Sequence, residues 1–170
     1  MVTQLPPSPR ADDLAARDAQ YSCEITLAKM GRLALSTVTP PDTAQVDWQF
    51  GLNAAGRPAC WGEVSAWLSL TCQRCLEPTS QNVVAQTQVE FVATVDDVAR
   101  AHGFEPVIAD DGRVDTLGLI EDELLLALPI APNHTHACGD LVNYSSEPTG
   151  ETRVRPFAGL DALIAERAPD

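Results

Sequence analysis

Val46-Asp47-Trp48-Gln49-Phe50-Gly51-Leu52 is the stretch on which the fold turns. Its apolar members, Val46, Trp48, Phe50 and Leu52, alternate with Asp47, Gln49 and Gly51. A period of two marks a strand with one buried face. Asn53-Ala54-Ala55-Gly56 supplies hairpin-loop chemistry directly behind it. The next run, about 59–71, places Val64, Ala66, Leu68 and Leu70 on one face and Trp61 and Trp67 on the other, so cover is expected on both sides. A turn at Cys72–Pro78 leads into a third run near 81–95, where Val83, Ala85, Thr87, Val89, Phe91, Ala93 and Val95 share a face. Three successive strands with short connections predict an antiparallel meander, because parallel pairs need long crossovers.

Outward from this centre the pattern changes. Tyr21, Cys23, Ile25 and Leu27 predict one more strand, and Ser8 as N-cap with Pro9 at the first position predicts a short helix over Ala11 to Ala19. Residues 28–36 allow a helical turn before Pro40-Pro41-Asp42 breaks the chain. Residues 96–115 are acidic and read as an irregular linker. Leu117, Ile120, Leu124 and Leu128 recur at helical spacing, predicting a helix over 116–128 capped by Asp115 or Thr116 and stopped at Pro129. A polar segment covers about 133–155, and 156–164 reads as a terminal helix. The expected class is α+β: an antiparallel sheet with a short N-terminal helix and C-terminal helices packed on it, in a single domain over 1–170.

Composition narrows the function classes. The chain has 170 residues, 45% of them hydrophobic, which suffices for a packed core. Twenty-four acids against 11 bases give a formal charge of −13, and Lys29 is the one lysine. Such a balance excludes a nucleic-acid binder working through a broad basic surface. No window approaches the roughly eighteen apolar residues of a spanning helix, and the first residues lack a secretion signal, so a cytoplasmic protein without a membrane partner is expected. Five cysteines, odd in number and irregularly spaced, do not form a disulfide framework. Between 96 and 128 nine acids face two bases. This concentration, with Glu105, Asp110 and Asp111 in it, is either a solvated surface or a docking surface for a basic partner.

The strongest chemical signal is Cys72-Gln73-Arg74-Cys75. Two thiols separated by two residues can point at one ion, and zinc takes tetrahedral sets of four thiolate and imidazole ligands. The second half of a site is available in Asn133-His134-Thr135-His136-Ala137-Cys138. Cys72, Cys75 and Cys138 with His134 or His136 make a chemically complete set; the bland alternative is reduced cysteines at a hairpin end beside loop histidines. A thioredoxin-like site is disfavoured because strand patterns flank the motif on both sides. Phosphate-binding, metalloprotease and nucleophile-elbow motifs are absent. Glu121-Asp122-Glu123 reads as a solvated helix face, and Trp48, Trp61 and Trp67 as core.

Two stretches in order, Cys72-Gln73-Arg74-Cys75-Leu76-Glu77-Pro78 and Ile120 through Pro129-Ile130-Ala131-Pro132-Asn133-His134, resemble the bacterial YceD family, the large ribosomal RNA subunit accumulation proteins; Pro156-Phe157-Ala158-Gly159-Leu160 resembles its C-terminal end. The resemblance implies a cytoplasmic, non-enzymatic factor supporting synthesis, processing or stability of 23S rRNA, with no catalytic residues to carry over. Some branches of that family have a cysteine-rich C-terminal segment like a complete zinc site, whereas this chain keeps His134, His136 and Cys138. The resemblance, and not the spacing, prefers His134 as the fourth ligand. Combined with the charge, the expectation is an acidic adaptor for a basic ribosomal protein or rRNA-processing factor. Direct RNA contact through Arg74, Arg153 and Arg155 is the competing version, and a structural zinc module unrelated to ribosomes is the alternative of a different class.

Overall fold

The alternating runs become neighbouring strands. A computed structural model describes residues 4–101 and 103–139. These lie in a unit spanning Met1–Gly139, and Asp140–Asp170 form a second unit outside the described residues. The expected terminal helix at 156–164, most of the 133–155 segment, and Arg153 and Arg155 therefore fall outside the described residues.

In chain order the elements are α1 (Ala11–Ala16), β1 (Gln20–Thr26), α2 (Gly31–Leu35), β2 (Thr43–Leu52), β3 (Pro58–Thr71), β4 (Pro78–Val92), α3 (Val95–Val98), β5 (Glu105–Ile108) and α4 (Thr116–Leu126). They form one five-stranded sheet in the order β1-β2-β3-β4-β5. β1 to β4 pair antiparallel, with Phe50 opposite Cys60 and Cys60 opposite Val89. β5 lies parallel to β4. The acidic 96–115 stretch is thus not irregular throughout: it holds part of α3 and all of β5, and α3 lies in the crossover that a parallel neighbour requires.

One face of the sheet carries the core. Val46, Trp48, Phe50, Val64, Leu68 and Val89 are fully buried there, and Leu14 of α1, Leu33 of α2 and Ile120 and Leu124 of α4 join the same cluster. Phe50 meets Tyr21 and Trp48 edge-on and stacks with Phe91, with ring centroids about 6 Å apart. The opposite face departs from the expectation. Trp67 is 68% exposed, and Trp61 is only half-buried, resting edge-on against Phe104. Of the three tryptophans, Trp48 alone is core, because among the described residues cover on the outer face is confined to one end.

Trp48, Gly62 and Thr87 form one row across three strands, and the Trp48 indole N–H reaches across it to donate to Thr87 Oγ1 at 3.1 Å. Gly62 adopts φ +146°, and a Cβ there would sit 2.0 Å from the Asp47 carbonyl oxygen. Backbone cannot give as a side-chain tip can, so Gly62→Ala is expected to cost at least about 2 kcal/mol. Urea denaturation checks it: an unchanged midpoint would show that β2 and β3 separate there without penalty.

Two local readings are corrected. Ser8 is not the cap of α1: Arg10 occupies that position in extended conformation without a side-chain cap bond. The reason lies in an N-terminal strap, Pro6 to Arg10, held against residues 112–116. Thr116 Oγ1 donates to the Pro6 carbonyl (2.7 Å), Val114 N–H to Pro9 (2.9 Å), and Arg113 to the Ser8 carbonyl (2.9 Å). α1 also stops at Ala16 rather than Ala19; Asp18 turns left-handed and Ala19 N–H closes back on the Leu14 carbonyl.

Glu121 was expected on a solvated face and is instead 8% exposed. Its carboxylate accepts from the Arg32 and Leu33 amides (2.8 and 3.0 Å) and from the Arg32 guanidinium (2.9 and 3.0 Å). α2 has no cap of its own at Met30, so a side chain of α4 supplies it from a distance. Among the described residues no helix is long and apolar enough to cross a membrane.

Candidate metal centre

The loop between the two longest strands is a tight turn. Leu76 N–H bonds the Cys72 carbonyl and Cys72 N–H the Glu77 carbonyl, both at 2.9 Å, with Leu76 left-handed at φ 64°. The turn puts Cys72 and Cys75 at the end of the β3–β4 hairpin. α4 ends at Leu126, short of the expected Leu128, and past Pro129 the chain runs back to the same place. Gln73 N–H donates to the Pro132 carbonyl (2.7 Å) and the Gln81 amide to the Asn133 carbonyl (2.8 Å). Gly139 passes so close that a Cβ would lie 3.2 Å from the Arg74 carbonyl.

This return brings four donor atoms together. Cys72 Sγ, Cys75 Sγ, Cys138 Sγ and a His134 ring nitrogen all lie within 4.8 Å of one another. Cys72 and Cys138 sulfurs are 3.6 Å apart, and His134 Nδ1 lies 3.4 Å from both Cys75 Sγ and Cys138 Sγ. Zinc bonds of about 2.3 Å to sulfur and 2.0 Å to nitrogen imply tetrahedral edges of about 3.8 Å between sulfurs and 3.5 Å from sulfur to nitrogen. The observed spacings match those edges, so the donor set fits such an ion.

His134 is oriented by its other nitrogen. Nε2 faces the Pro78 carbonyl at 3.0 Å, and a proton held there leaves Nδ1 free as a ligand, the usual arrangement around metal-bound imidazole. His136 lies beside His134, its ring tilted by 37° with centroids 4.7 Å apart, but is not in the cluster. Geometry thus separates the two histidines where spacing did not.

Electrostatics favours thiolate in one place. Burial alone would raise the Cys72 thiol, yet the amides of Cys75, Arg74 and His134 outweigh it and hold its pKa well below the ordinary range. Cys138 moves the other way, raised by burial and by sharing its hydrogen bonds and negative charge with Cys72 and Cys75. A cluster of this kind holds one thiolate easily and a second only when a cation replaces the remaining protons. Cys23 and Cys60 are buried in the sheet, where burial raises both thiols; they stand outside the cluster.

The acidic residues are distributed unevenly. Glu105 opens β5 and, with Asp122 and Glu123, lines a groove against α4. Asp110 and Asp111 lie in the neighbouring turn, where the Asp111 carbonyl accepts from Arg10. One carboxylate escaped notice in the sequence: Glu90 is fully buried on β4, paired with Arg57 at 2.7 Å and bonded by Asn53. Its signal was a charge between Val89 and Phe91-Val92, where the alternation should have placed something polar only if it faced water.

Comparison with known proteins shows the family. Residues 61–164 match the family described as "Large ribosomal RNA subunit accumulation protein YceD". This stretch contains all but the first residues of the β3–β4 hairpin, the four-donor cluster and α4. A curated protein of Haemophilus influenzae with that same description is 33% identical over 125 residues, covering 71% of each chain. No solved structure matches. The chain belongs to the YceD family, whose description places it in the accumulation of large-subunit ribosomal RNA.

Proposed function

We propose that this protein is a non-enzymatic, cytoplasmic ribosome-biogenesis factor that supports synthesis, processing or stability of 23S rRNA as an acidic adaptor for a basic protein. Family membership is the observation that carries the reading. Net charge supports this mode of action: at −13 the chain is repelled by phosphate, which favours delegating contact with rRNA to a basic ribosomal protein or an rRNA-processing factor. The stretch from 96 to 123, with Glu105, Asp110 and Asp111, supplies the attraction.

Cys72, Cys75, Cys138 and His134 hold a zinc ion in this reading. When bound, the ion supplies a cross-link between the hairpin end and the loop after α4. All four tetrahedral positions are protein atoms, which is the pattern of structural and not catalytic zinc. Cys72 contributes its amide-stabilised thiolate, His134 is held in the ligating tautomer by Pro78, and Cys138 is delivered by the turn at Gly139.

Deleting the gene tests the function. The ratio of mature 23S to 16S rRNA is expected to fall, or 23S precursors to accumulate, with metabolite profiles little changed. Normal 23S levels and normal subunit profiles in a clean deletion would remove the ribosomal reading and leave the zinc-stapled module without it.

A further inference from the structure

The groove between α4 and β5 is partly apolar and acidic at the same time. Val89 and Leu119 form buried parts of its wall, while Ile108 is 49% and Leu126 75% exposed, so the described residues leave apolar surface uncovered. Its volume is about 320 Å³, room for a few side chains and not for a folded element.

Its carboxylates differ in how committed they are. Asp115 caps α4 by accepting from Gly118 N–H at 3.0 Å, and Asp122 is bound to Arg32 at 2.6 Å. Glu105 and Glu123 have no cationic partner among the described residues. Burial, followed by the charges of Glu105 and Asp122, raises the pKa of Glu123. Negative charge is therefore crowded there beyond what Arg32 offsets, and an arriving cation relieves it.

We infer that this groove is a docking site for a short protein segment combining lysine or arginine with leucine, isoleucine or valine side chains. The inference rests on the adaptor reading and gives that reading a place and a ligand chemistry. Cationic heads meet Glu105 and Glu123, apolar side chains cover Ile108 and Leu126, and the aliphatic stems of lysine or arginine extend that cover. Pro106 removes a backbone donor from the edge strand, which shifts recognition from main chain to side chains. RNA meets the same carboxylates and is repelled by them.

The test uses the full chain and a fluorescein-labelled peptide alternating lysine and leucine, followed by anisotropy. Glu105→Gln with Glu123→Gln is expected to weaken binding about tenfold, the effect of removing two partly exposed charge pairs. Leu126→Asp is expected to weaken it similarly, as is replacing the peptide's leucines by serine. Glu24→Gln with Glu63→Gln removes equal charge from the sheet's outer face and should change nothing. Equal loss in that control pair would reduce the effect to net charge and overturn the inference, as would displacement of the peptide by an RNA oligonucleotide. Melting curves of the variants show that they are folded. Complementation separates the two levels: groove variants that fully restore 23S rRNA in a deletion strain defective for it sink the groove and spare the adaptor. A deletion without a 23S defect sinks the ribosomal reading, and the anisotropy still judges the groove.

Discussion

Protein purified from zinc-replete cells is expected to carry one equivalent of zinc per chain, and stripping it with a chelator should lower the melting temperature by roughly 10 °C or more. Without an ion, three sulfurs and an imidazole nitrogen within 4.8 Å of one another must carry protons or repel. The loop that delivers His134 and Cys138 is otherwise held to the hairpin by a few exposed hydrogen bonds, among them those to Pro132 and Asn133. Metal-binding free energy therefore acts as folding free energy for this end of the sheet. Cys75→Ser should melt like the chelated protein, and chelator should change that variant no further. Cys23→Ala, outside the cluster, should keep its full equivalent of metal. Elemental analysis with calorimetry decides: zinc well below one equivalent, with Cys72→Ser melting like the parent, leaves four ordinary side chains and no centre.

Glu121→Ala is expected to cost about 3 kcal/mol, or roughly 6–12 °C in melting temperature. The substitution strands two amides at the start of α2 and frees a guanidinium that the carboxylate held by two bonds. A surface glutamate in the middle of a helix would cost a few tenths of that. Glu121→Gln should recover part of the loss, since an amide oxygen still accepts from Leu33. The same contacts set a pH dependence. Burial alone would raise the Glu121 carboxyl, but the Leu33 amide, the Arg32 side chain and the Arg32 amide together lower its pKa below the ordinary 4.5. A depressed folded-state value means stability that is present above that ordinary value and lost as pH falls through the lowered one. Acid titration of melting should show this loss in the parent and not in Glu121→Ala; parallel curves would place the coupling elsewhere.

Legibility in the sequence followed the length and regularity of each pattern. Four antiparallel strands announced themselves because alternation at Tyr21–Ile25, Val46–Phe50, Val64–Leu70 and Val83–Phe91 persists long enough to fix a face. β5 did not, since four residues containing Pro106 carry too little pattern and a parallel partner leaves no hairpin turn to mark it. α4 was visible from Ile120 and Leu124, whereas Glu121 beside them was misread because its partners, Arg32 and Leu33, are nearly ninety residues away. Spacing exposed the paired cysteines and the reach of the second half-site. Spacing did not choose between His134 and His136; the resemblance preferred His134, and it is the His134 ring nitrogen that the fold places among the three sulfurs. Trp67 carried a core residue type to a face that the other described residues leave open.

The N-terminal strap bears on the order of folding. Hydrogen bonds between Pro6 and Thr116, and between Ser8 and Arg113, join residues more than a hundred positions apart, while β3 and β4 close through a turn of a few residues. Loop-closure entropy makes the hairpin early and the strap late. During synthesis the strap must wait, already made, until 112–116 emerge, whereas the β2 and β3 partners of α1 are available earlier. Pulse-labelled hydrogen exchange should find the β3–β4 amides protected before those of Ala11 and Val114. Each new chain therefore passes through an interval in which the β3–β4 hairpin can close while Pro6 to Arg10 still lack their partners.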